Sequence, residues 1–196
     1  HIKLPEMLYE QTLEVDERVG PRGDMLAPLD EDVARKGLQR AYDDGIRGCA
    51  IVFMHGYRHP DHEMRVAAIA RDIGYTQVST SYETSPLMKI VSRGDTTVVD
   101  AYLSPILRRY VDQVAGELND GDSSDTRLMF MQSNGGLTDA RLFQGKDAIL
   151  SGPAGGVVGM VQTAAAAGFE KVIGFDMGGT STDVSHFDGE YERAFE

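Results

Sequence analysis

The residues with the clearest chemical potential form one short polar stretch near the end of the chain, from Asp176 to Asp183. It contains two carboxylates, two adjacent glycines and three consecutive hydroxyls: Asp176 and Asp183, Gly178 and Gly179, and Thr180, Ser181 and Thr182. Adjacent glycines lack Cβ atoms and permit positive φ, so their N–H groups can approach a phosphate, and hydroxyls can donate to its oxygens. The carboxylates repel phosphate but suit a hydrated Mg²⁺ or the orientation of a water molecule. The stretch therefore predicts a phosphate-binding turn, with an ordinary polar hairpin turn as the alternative.

The residues around this stretch indicate how it is held. An apolar run, Val172–Phe175, predicts a buried strand that ends at Asp176, and a second strand begins at Asp183. The pair Asp188-Gly189 is typical of a type I′ hairpin turn, and a third strand is predicted over residues 190–195. The polar stretch would then join two strands of one hairpin.

A second candidate anion site lies at the start of a small-residue helix predicted over residues 154–167. Ser151 and Gly152 precede it, and the free N–H groups and dipole of a helix N-terminus favour an anion. For Gly155, Gly156 and Gly159 the favoured interpretation is close packing of the helix against a sheet.

Three histidines next to one acid have spacing that resembles a metal site: His55, His59 and His62, with Glu63. The pattern is not H-E-x-x-H and no cysteine assists, so a polar strand–helix junction is the simpler interpretation, and their role stays open. Two other polar groups favour structural roles. The stretch Gln132–Gly136 predicts a hairpin-like turn, with ligand contact at the sheet edge as the alternative. For Arg93, Asp95 and Asp100 internal pairing is favoured over a reach to the cleft between lobes, because Asp100 lies in an apolar helix and needs a partner.

The remaining pattern predicts alternating helices and strands. The alternation at 8–16 indicates a strand, followed by a loop at 17–29, and a βαβ arrangement with a parallel sheet follows from the elements to Thr80. We predict the other elements as follows: a helix from Asp30 to Asp44, a strand from Cys49 to Met54, a helix from His59 to Gly74, a strand from Gln77 to Thr80, a loop at 82–86, a helix at 87–118 broken or kinked at Gly94 and Pro105, a turn at 119–125, a strand from Leu128 to Met131 and a short helix capped by Thr138 and ending at Phe143.

Composition sets broader bounds on function. The chain has 196 residues and a formal net charge of −12, which argues against nucleic acid or an anionic membrane surface as a partner. Cys49 is the only cysteine and lies in an apolar run, which predicts a buried inert thiol and fits a reducing, cytoplasmic setting. The most apolar stretch, 153–169, is too short and too rich in glycine for a membrane span. The chain has neither a Walker-type phosphate loop nor a G-x-G-x-x-G motif after a strand.

Several motifs together carry a family resemblance. The stretch GFDMGGTSTDV (174–184) resembles a nucleotide-binding signature of the hydantoinase/oxoprolinase family, whose ATPase domain belongs to the actin and sugar-kinase superfamily. Further matching stretches are LYEQTLEVDERV (8–19), RGDTTVVDAYLSP (93–105), MQSNGGL (131–137) and SGPAGGVVG (151–159). Within the family the chain resembles the ATP-dependent 5-oxoprolinases most, with N-methylhydantoinases as near neighbours.

The resemblance implies an α/β fold that is a fragment of an actin-like (ribonuclease H-like) ATPase, with a mixed sheet flanked by helices. Residues 1–170 would belong to the first lobe, and residues 171–196 would be the opening β-hairpin of the second. The family's other phosphate loop would precede His1 and its adenosine-contacting segment would follow Glu196. The chain alone would then be an inactive structural or binding piece whose incomplete sheets invite self-association into a homo-oligomer.

The resemblance also implies a reaction and roles for the residues. A hydrolase of cyclic amides would use ATP and Mg²⁺ to open 5-oxoproline, with an N-methylhydantoinase or a carboxylase subunit as the alternative. Asp176 and Asp183 would be catalytic, and Asp176 would also hold the metal. The residues expected to bind the nucleotide phosphates are Gly178, Gly179, Thr180, Ser181, Thr182, Ser151 and Gly152.

Overall fold

The computed structural model of the protein describes residues 6–119 and 127–192. These residues form two compact units. The first contains the described residues up to Val114 together with Gln144–Lys146, and the second contains the described residues of Ala115–Phe143 and those from Asp147 onward.

The first unit alternates helices and strands, as predicted. Its elements are β1 (Arg18–Val19), β2 (Met25–Ala27), α1 (Glu31–Asp43), β3 (Gly48–Ile51), α2 (Asp61–Ile73), β4 (Gln77–Thr80), α3 (Ser81–Thr84) and the part of α4 (Ile90–Asn119) up to Val114. Strands β3 and β4 are parallel, from the pair Gly48–Gln77 to the pair Ile51–Thr80, so the βαβ prediction is confirmed.

Helices α1 and α2 begin and end where the sequence signals place them. The Asp30 side chain accepts a hydrogen bond from the Val33 N–H at 3.0 Å, and Gly74 ends α2 with a φ of 115°. Both helices bury apolar faces in one core with β3. Its buried members are Leu29, Ala34, Leu38, Ile51, Val66, Ala67, Ile69, Ala70 and Tyr75.

A buried carboxylate, that of Glu63, joins the ends of both parallel strands. One of its oxygens accepts from the Phe53 N–H at 2.9 Å and from the Ser81 hydroxyl at 2.6 Å. The other accepts from the Tyr82 N–H at 3.1 Å. The segments that follow β3 and β4 are thereby tied to the first turn of α2.

The buried Arg93 guanidinium of α4 completes this network. Its Nε donates to the Ser81 hydroxyl at 2.8 Å, and both side chains are fully buried. Its two terminal nitrogens donate to four backbone carbonyls, those of Phe53, Met54, Leu87 and Met88. Burial lowers the pKa of Arg93, and the charge of Glu63 opposes that shift. The charge opposite Arg93 is therefore Glu63, reached through Ser81, and the predicted pairing with Asp95 or Asp100 is wrong.

Asp100 finds its partners elsewhere, and they are neutral. Its carboxylate accepts from the hydroxyls of Ser79 at 2.7 Å and Ser104 at 3.1 Å, and from the Lys146 N–H at 3.0 Å. The expectation that this buried acid needs partners is confirmed, with hydrogen-bond donors in place of a cation.

The second unit is built around two antiparallel hairpins and one long helix. Its strands are β5 (Met129–Met131), β6 (Leu137–Asp139), β7 (Lys171–Met177) and β8 (Thr182–Asp188), and its helix α6 spans Ser151–Ala166. A 3₁₀ turn (Ala140–Leu142) follows β6, and the one-turn helix α5 (Gly145–Ala148) precedes α6. The turn between β5 and β6 closes with the Gln132 N–H donating to the Gly136 carbonyl at 2.8 Å, which confirms the predicted hairpin turn.

Two predictions for the first unit are wrong at its start. The alternating segment 8–16 contains no strand; Gln11 instead donates to Asp44 at 3.2 Å, and Leu13 lies against Gly37. The segment therefore runs beside α1. The segment 17–29, predicted to be a loop, contains a short antiparallel hairpin. Its strands β1 and β2 pair with each other as a separate two-stranded sheet.

Other corrections concern helix limits. Helix α3 occupies part of the predicted loop at 82–86. Helix α4 is not broken at Gly94 or Pro105, because a proline removes only one backbone N–H from a helix of 30 residues. Helix α6 begins at Ser151, three residues earlier than predicted, and Thr138 lies in β6 while Asp139 caps the 3₁₀ turn.

The predicted α/β class is confirmed. The described residues contain four separate two-stranded sheets, one parallel and three antiparallel, in place of the expected single mixed sheet. Among the described helices, none combines the length and apolar character needed to cross a membrane. Residues 190–192 are not a strand, while the rest of the predicted third strand and most of the predicted turn at 119–125 lie outside the described residues.

Replacing Arg93 tests the buried network. The change Arg93→Met leaves the Glu63 carboxylate without an opposite charge and removes the side-chain donor to four carbonyls, so we expect a loss of about 3–5 kcal/mol in unfolding free energy. The same change at Arg109, exposed on the same helix, should cost less than about 0.5 kcal/mol in denaturant unfolding. Equal losses for the two variants would contradict this assignment.

Cys49 gives a second test of this core. It lies in β3, and burial raises the pKa of its thiol to about 12, so the thiolate that reacts with disulfide reagents is scarce at pH 8. We expect Cys49 to react with Ellman's reagent about 100-fold or more slowly in the folded chain than in urea. Similar rates in the two conditions would show that the thiol is accessible.

Candidate functional site

The predicted phosphate turn joins β7 and β8, as expected. Asp176 lies opposite Asp183 and Met177 opposite Thr182, and the Gly178 N–H donates to the Ser181 carbonyl at 3.0 Å. The turn itself, 178–181, is exposed. The structure thus brings the two carboxylates, the two glycines and the three hydroxyls together at one end of a hairpin.

The glycines of the turn are not required by the fold. Neither Gly178 nor Gly179 has a positive φ, which corrects the expected reason for glycine here. A Cβ at Gly179 would meet nothing within 4 Å, and one at Gly178 would lie 3.7 Å from the Ser181 carbonyl oxygen. Neither backbone conformation nor packing therefore requires a glycine at these two positions. The Gly178 N–H is engaged by the Ser181 carbonyl, and the absence of a side chain at Gly179 leaves the backbone there accessible to a ligand.

Helix α6 packs along one face of this hairpin. A Cβ at Gly156 would lie 3.9 Å from a carboxylate oxygen of Asp176, and Gly174 lies directly against the Met160 sulfur. The Ser185 hydroxyl, on the same face as Gly174, donates to that sulfur at 3.7 Å. Of the three glycines expected to pack closely, Gly155 would place a Cβ 3.4 Å from Met131 of β5 and Gly156 one at ordinary contact distance from Asp176, whereas a Cβ at Gly159 would meet nothing within 4 Å.

These contacts fix the direction of the helix. Gly156 lies beside Asp176 and Met160 beside Gly174, so α6 runs antiparallel to β7. From Gly156 back to Ser151 a helix rises about 7 Å, and from Asp176 to Gly178 a strand rises about 7 Å. Ser151 and Gly152 therefore lie toward the same end of the hairpin as the turn.

The N-terminus of α6 has no side-chain cap. Leu150 occupies the N-cap position with a positive φ of 56°, and it makes no capping hydrogen bond. A leucine in this backbone conformation is strained, and such strain is concentrated at functional sites. A Cβ at Gly152 would meet nothing within 4 Å, so the first N–H groups of the helix open onto free space.

The electrostatics of the turn fit a cation beside a phosphate. Asp176 and Asp183 are direct cross-strand partners, and like charges in that position destabilise a hairpin. A divalent cation between them would remove that repulsion, and carboxylate oxygens are the ligands that Mg²⁺ takes. The donor set of this chain therefore fits Mg²⁺.

The histidines occupy a different place, in the first unit, and do not form a cluster. His62 Nδ1 lies 2.7 Å from a carboxylate oxygen of Glu17, with both side chains buried, and His59 Nε2 lies 3.4 Å from the Pro21 carbonyl. Across residues 6–119 and 127–192, no group of three or more histidine, cysteine or acidic residues is arranged to hold a metal. The Glu17–His62 contact holds the start of the β1–β2 hairpin to α2.

Sequence reasoning missed Gly174 and Met160. They set how closely the helix approaches the strand, and the signal was present, since a glycine inside a strand often marks a close approach of another segment. The methionine is 14 residues away and gave no such signal.

The chain matches known families over most of its length. Residues 93–196, more than half of the chain, match the family described as Hydantoinase/oxoprolinase, and residues 1–74 match the Hydantoinase/oxoprolinase N-terminal region.

Individual relatives agree with this match. The chain is 42% identical over 212 residues to 5-oxoprolinase 1 of Arabidopsis thaliana, which covers 98% of this chain and 17% of the relative. It resembles the crystal structure of the ATP-dependent caprolactamase from Pseudomonas jessenii with a TM-score of 0.79 and 32% identity, covering 89% of this chain and 26% of that one. It also resembles a nucleotide-free acetone carboxylase, from a study of ATP-dependent acetone carboxylation, with a TM-score of 0.79 and 27% identity over 90% of this chain and 26% of that one. The chain thus spans less than a fifth of the 5-oxoprolinase and about a quarter of each structure.

The contact between α6 and the hairpin can be tested at Gly174. A Cβ there would meet the Met160 sulfur and lie 2.7 Å from the Ser185 hydroxyl oxygen, so Gly174→Val should cost about 1–3 kcal/mol, although valine favours strands. Adding Met160→Ala should restore part of the loss. As a control, Gly159→Ala adds a Cβ with no atom within 4 Å and should stabilise the helix by up to about 1 kcal/mol. Stabilisation by Gly174→Val in denaturant unfolding would rule out the described packing.

Proposed function

Since the chain belongs to the hydantoinase/oxoprolinase family, we propose that it forms part of an ATP-dependent amidohydrolase that opens a lactam. The reaction is 5-oxo-L-proline, ATP and water giving L-glutamate, ADP and phosphate. The observation that carries the proposal is the open turn 178–181, which has an acid pair at its base and the uncapped start of α6 toward the same end of the hairpin. The 42% identity to a 5-oxoprolinase supports the choice of substrate.

The chemical problem is the stability of the amide bond. Transfer of the γ-phosphoryl group from ATP to the lactam oxygen breaks its bond to the β-phosphate oxygen and releases ADP. The phosphorylated carbon is electrophilic enough for water to add, after which the C–N bond breaks and phosphate leaves. Such transfers depend mainly on positioning and on stabilising the charge of the transferring group.

The residues of the turn supply these two effects. The Gly179 N–H and the hydroxyls of Thr180, Ser181 and Thr182 would hold phosphate oxygens, together with the start of α6 at Ser151 and Gly152. Gly178 would contribute by closing the turn, since its N–H donates to the Ser181 carbonyl. Asp176 and Asp183 would position the attacking group and a metal ion, which Asp176 would hold. Mg²⁺, when bound, would neutralise phosphate charge.

The rest of the active site belongs to other parts of a longer polypeptide. Support comes from the coverage of 17% of the 5-oxoprolinase and from the outer face of the hairpin. Four apolar side chains on that face are largely exposed: Ile173 at 78%, Phe175 at 68%, Met177 at 73% and Val184 at 65%. In this proposal 1–170 is part of a first ATPase lobe and 171–196 opens the second, and the chain alone binds ATP weakly. Assembly into a homo-oligomer and a cytoplasmic location belong to the same proposal.

A second candidate changes the substrate and keeps the nucleotide chemistry. An ATP-dependent N-methylhydantoinase or a related carboxylase subunit is favoured by one observation: caprolactamase and acetone carboxylase resemble the chain with the same TM-score of 0.79. Both proteins are described as ATP-dependent and differ in the molecule acted on, so the nucleotide part is common to both candidates.

The proposal is tested by removing one carboxylate from the turn. In the longer polypeptide, Asp176→Asn should lower the rate of 5-oxoproline-driven ADP release by about 100-fold or more, because the amide cannot replace the charge that holds the metal. Asp188→Asn removes the same charge at the far end of β8, where Asp188 pairs with Lys171, and should leave the rate within about twofold.

Two outcomes would count against this site. Unchanged ADP release by Asp176→Asn would remove the turn from the reaction. Equal losses in the two variants would show that the charge of the hairpin matters only for its stability.

A further inference from the structure

The hairpin turn between β5 and β6 carries one of the two asparagines of the chain, Asn134, directly before Gly135. Asn134 is exposed, and Gly135 has a φ of 80° and no side chain to shield its backbone nitrogen. The other asparagine, Asn119, precedes an aspartate. An exposed side-chain amide beside an unshielded backbone nitrogen is the combination in which an asparagine is attacked by its own backbone.

The turn holds the two reacting groups of this pair together. The Gly136 N–H donates to the Oδ1 atom of Asn134 at 2.8 Å. Because Gly135 lies between these two partners in the chain, the hydrogen bond brings the side-chain carbonyl of Asn134 next to the Gly135 nitrogen. Holding a nucleophile beside the carbon that it attacks raises the rate of an intramolecular reaction.

The same hydrogen bond stabilises the charge that the attack creates. When a nitrogen adds to the Cγ atom of Asn134, negative charge develops on Oδ1, where the Gly136 N–H already donates. The Asn134 amide nitrogen makes no hydrogen bond to any other residue that the structure describes, so no such contact holds it in place. The carbonyl is therefore activated and the leaving group is free.

One contact in the turn opposes the attack. The Gly135 N–H donates to the Gln132 carbonyl at 3.0 Å, and this hydrogen must be lost before the nitrogen can add. Opening one hydrogen bond of an exposed turn costs only about 0.5–1.5 kcal/mol. The contact therefore slows the reaction without preventing it, and the rate should rise with pH, because hydroxide removes the hydrogen.

We propose that Asn134 is a site of spontaneous deamidation. The Gly135 nitrogen bonds to Cγ and loses its proton to water, while the Cγ–Nδ2 bond breaks and ammonia leaves with a proton taken from water. The product is a five-membered succinimide. Water then opens the ring: addition at Cγ gives aspartate, and addition at the main-chain carbonyl carbon gives isoaspartate, which has one more CH₂ in the backbone. Water is the only co-reactant.

The isoaspartate product should disturb the packing of this turn. A Cβ at Gly135 would lie only 3.2 Å from a methyl carbon of Val158 in α6, so the space on that side is tight. On the other side of Asn134, the Ser133 N–H donates to the Asp147 carbonyl at 2.8 Å. A backbone lengthened between these two contacts cannot keep both of them unchanged. Deamidation therefore acts on the stability of the second unit and does not depend on the nucleotide reaction.

The test incubates the 196-residue chain at pH 8 without nucleotide and digests samples with trypsin at intervals. Mass spectrometry of the peptide 128–141 should show a gain of about one mass unit at Asn134, and the product should contain both aspartate and isoaspartate. The rate should be within about tenfold of the rate for the free synthetic peptide, because one hydrogen bond must open first. Asn119, whose following residue has a side chain, should convert more slowly.

A matched variant separates this reaction from other changes during incubation. Asn134→Gln keeps the amide but would have to close a six-membered ring, so its peptide should stay unmodified. The incubated original chain should unfold at a lower urea concentration than the fresh chain, whereas the incubated variant should keep its midpoint. No mass gain at Asn134 in the time that converts the free peptide completely would overturn the proposal. Equal conversion at Asn119 would overturn it as well, since it would indicate only general amide hydrolysis.

Discussion

The buried Arg93 guanidinium is the group on which the order of the first unit depends. A fully buried cation is tolerated only where an opposite charge and enough acceptors surround it, and here Glu63, Ser81 and four backbone carbonyls do so. Those acceptors lie in the segments after β3 and before α4, so one side chain fixes both connections. About two turns further along α4, the buried Asp100 carboxylate is likewise surrounded by hydrogen-bond partners, in its case neutral donors.

The second unit depends instead on the absence of side chains. Gly174 lets α6 approach β7 closely, and the direction of that packing places the start of the helix toward the turn 178–181. This packing brings the uncapped start of the helix toward the end of the hairpin that carries the turn and its two acids. This arrangement connects a small-residue sequence pattern to a site that suits a phosphate and a divalent cation.

Much of this could be predicted from sequence where the signals are local. The cap at Asp30, the stop at Gly74 and the hairpin around Asp176 and Asp183 each depend on neighbouring residues, and all three were predicted. The partners of Arg93 could not be predicted from sequence, because its acceptors lie up to 40 residues away along the chain. The alternation at 8–16 failed for another reason: residues 8–14 are all exposed, so the alternating apolar and polar types there do not mark a buried face.

The most direct measurement is ADP release by the longer polypeptide, with 5-oxoproline and N-methylhydantoin offered separately. Both compounds present a cyclic amide, so the nucleotide chemistry is held constant and only the acceptor changes. The proposed function predicts ADP release that requires 5-oxoproline and is not supported by the hydantoin. Release driven only by N-methylhydantoin would contradict the 5-oxoprolinase assignment and favour the second candidate, and release with neither would contradict both.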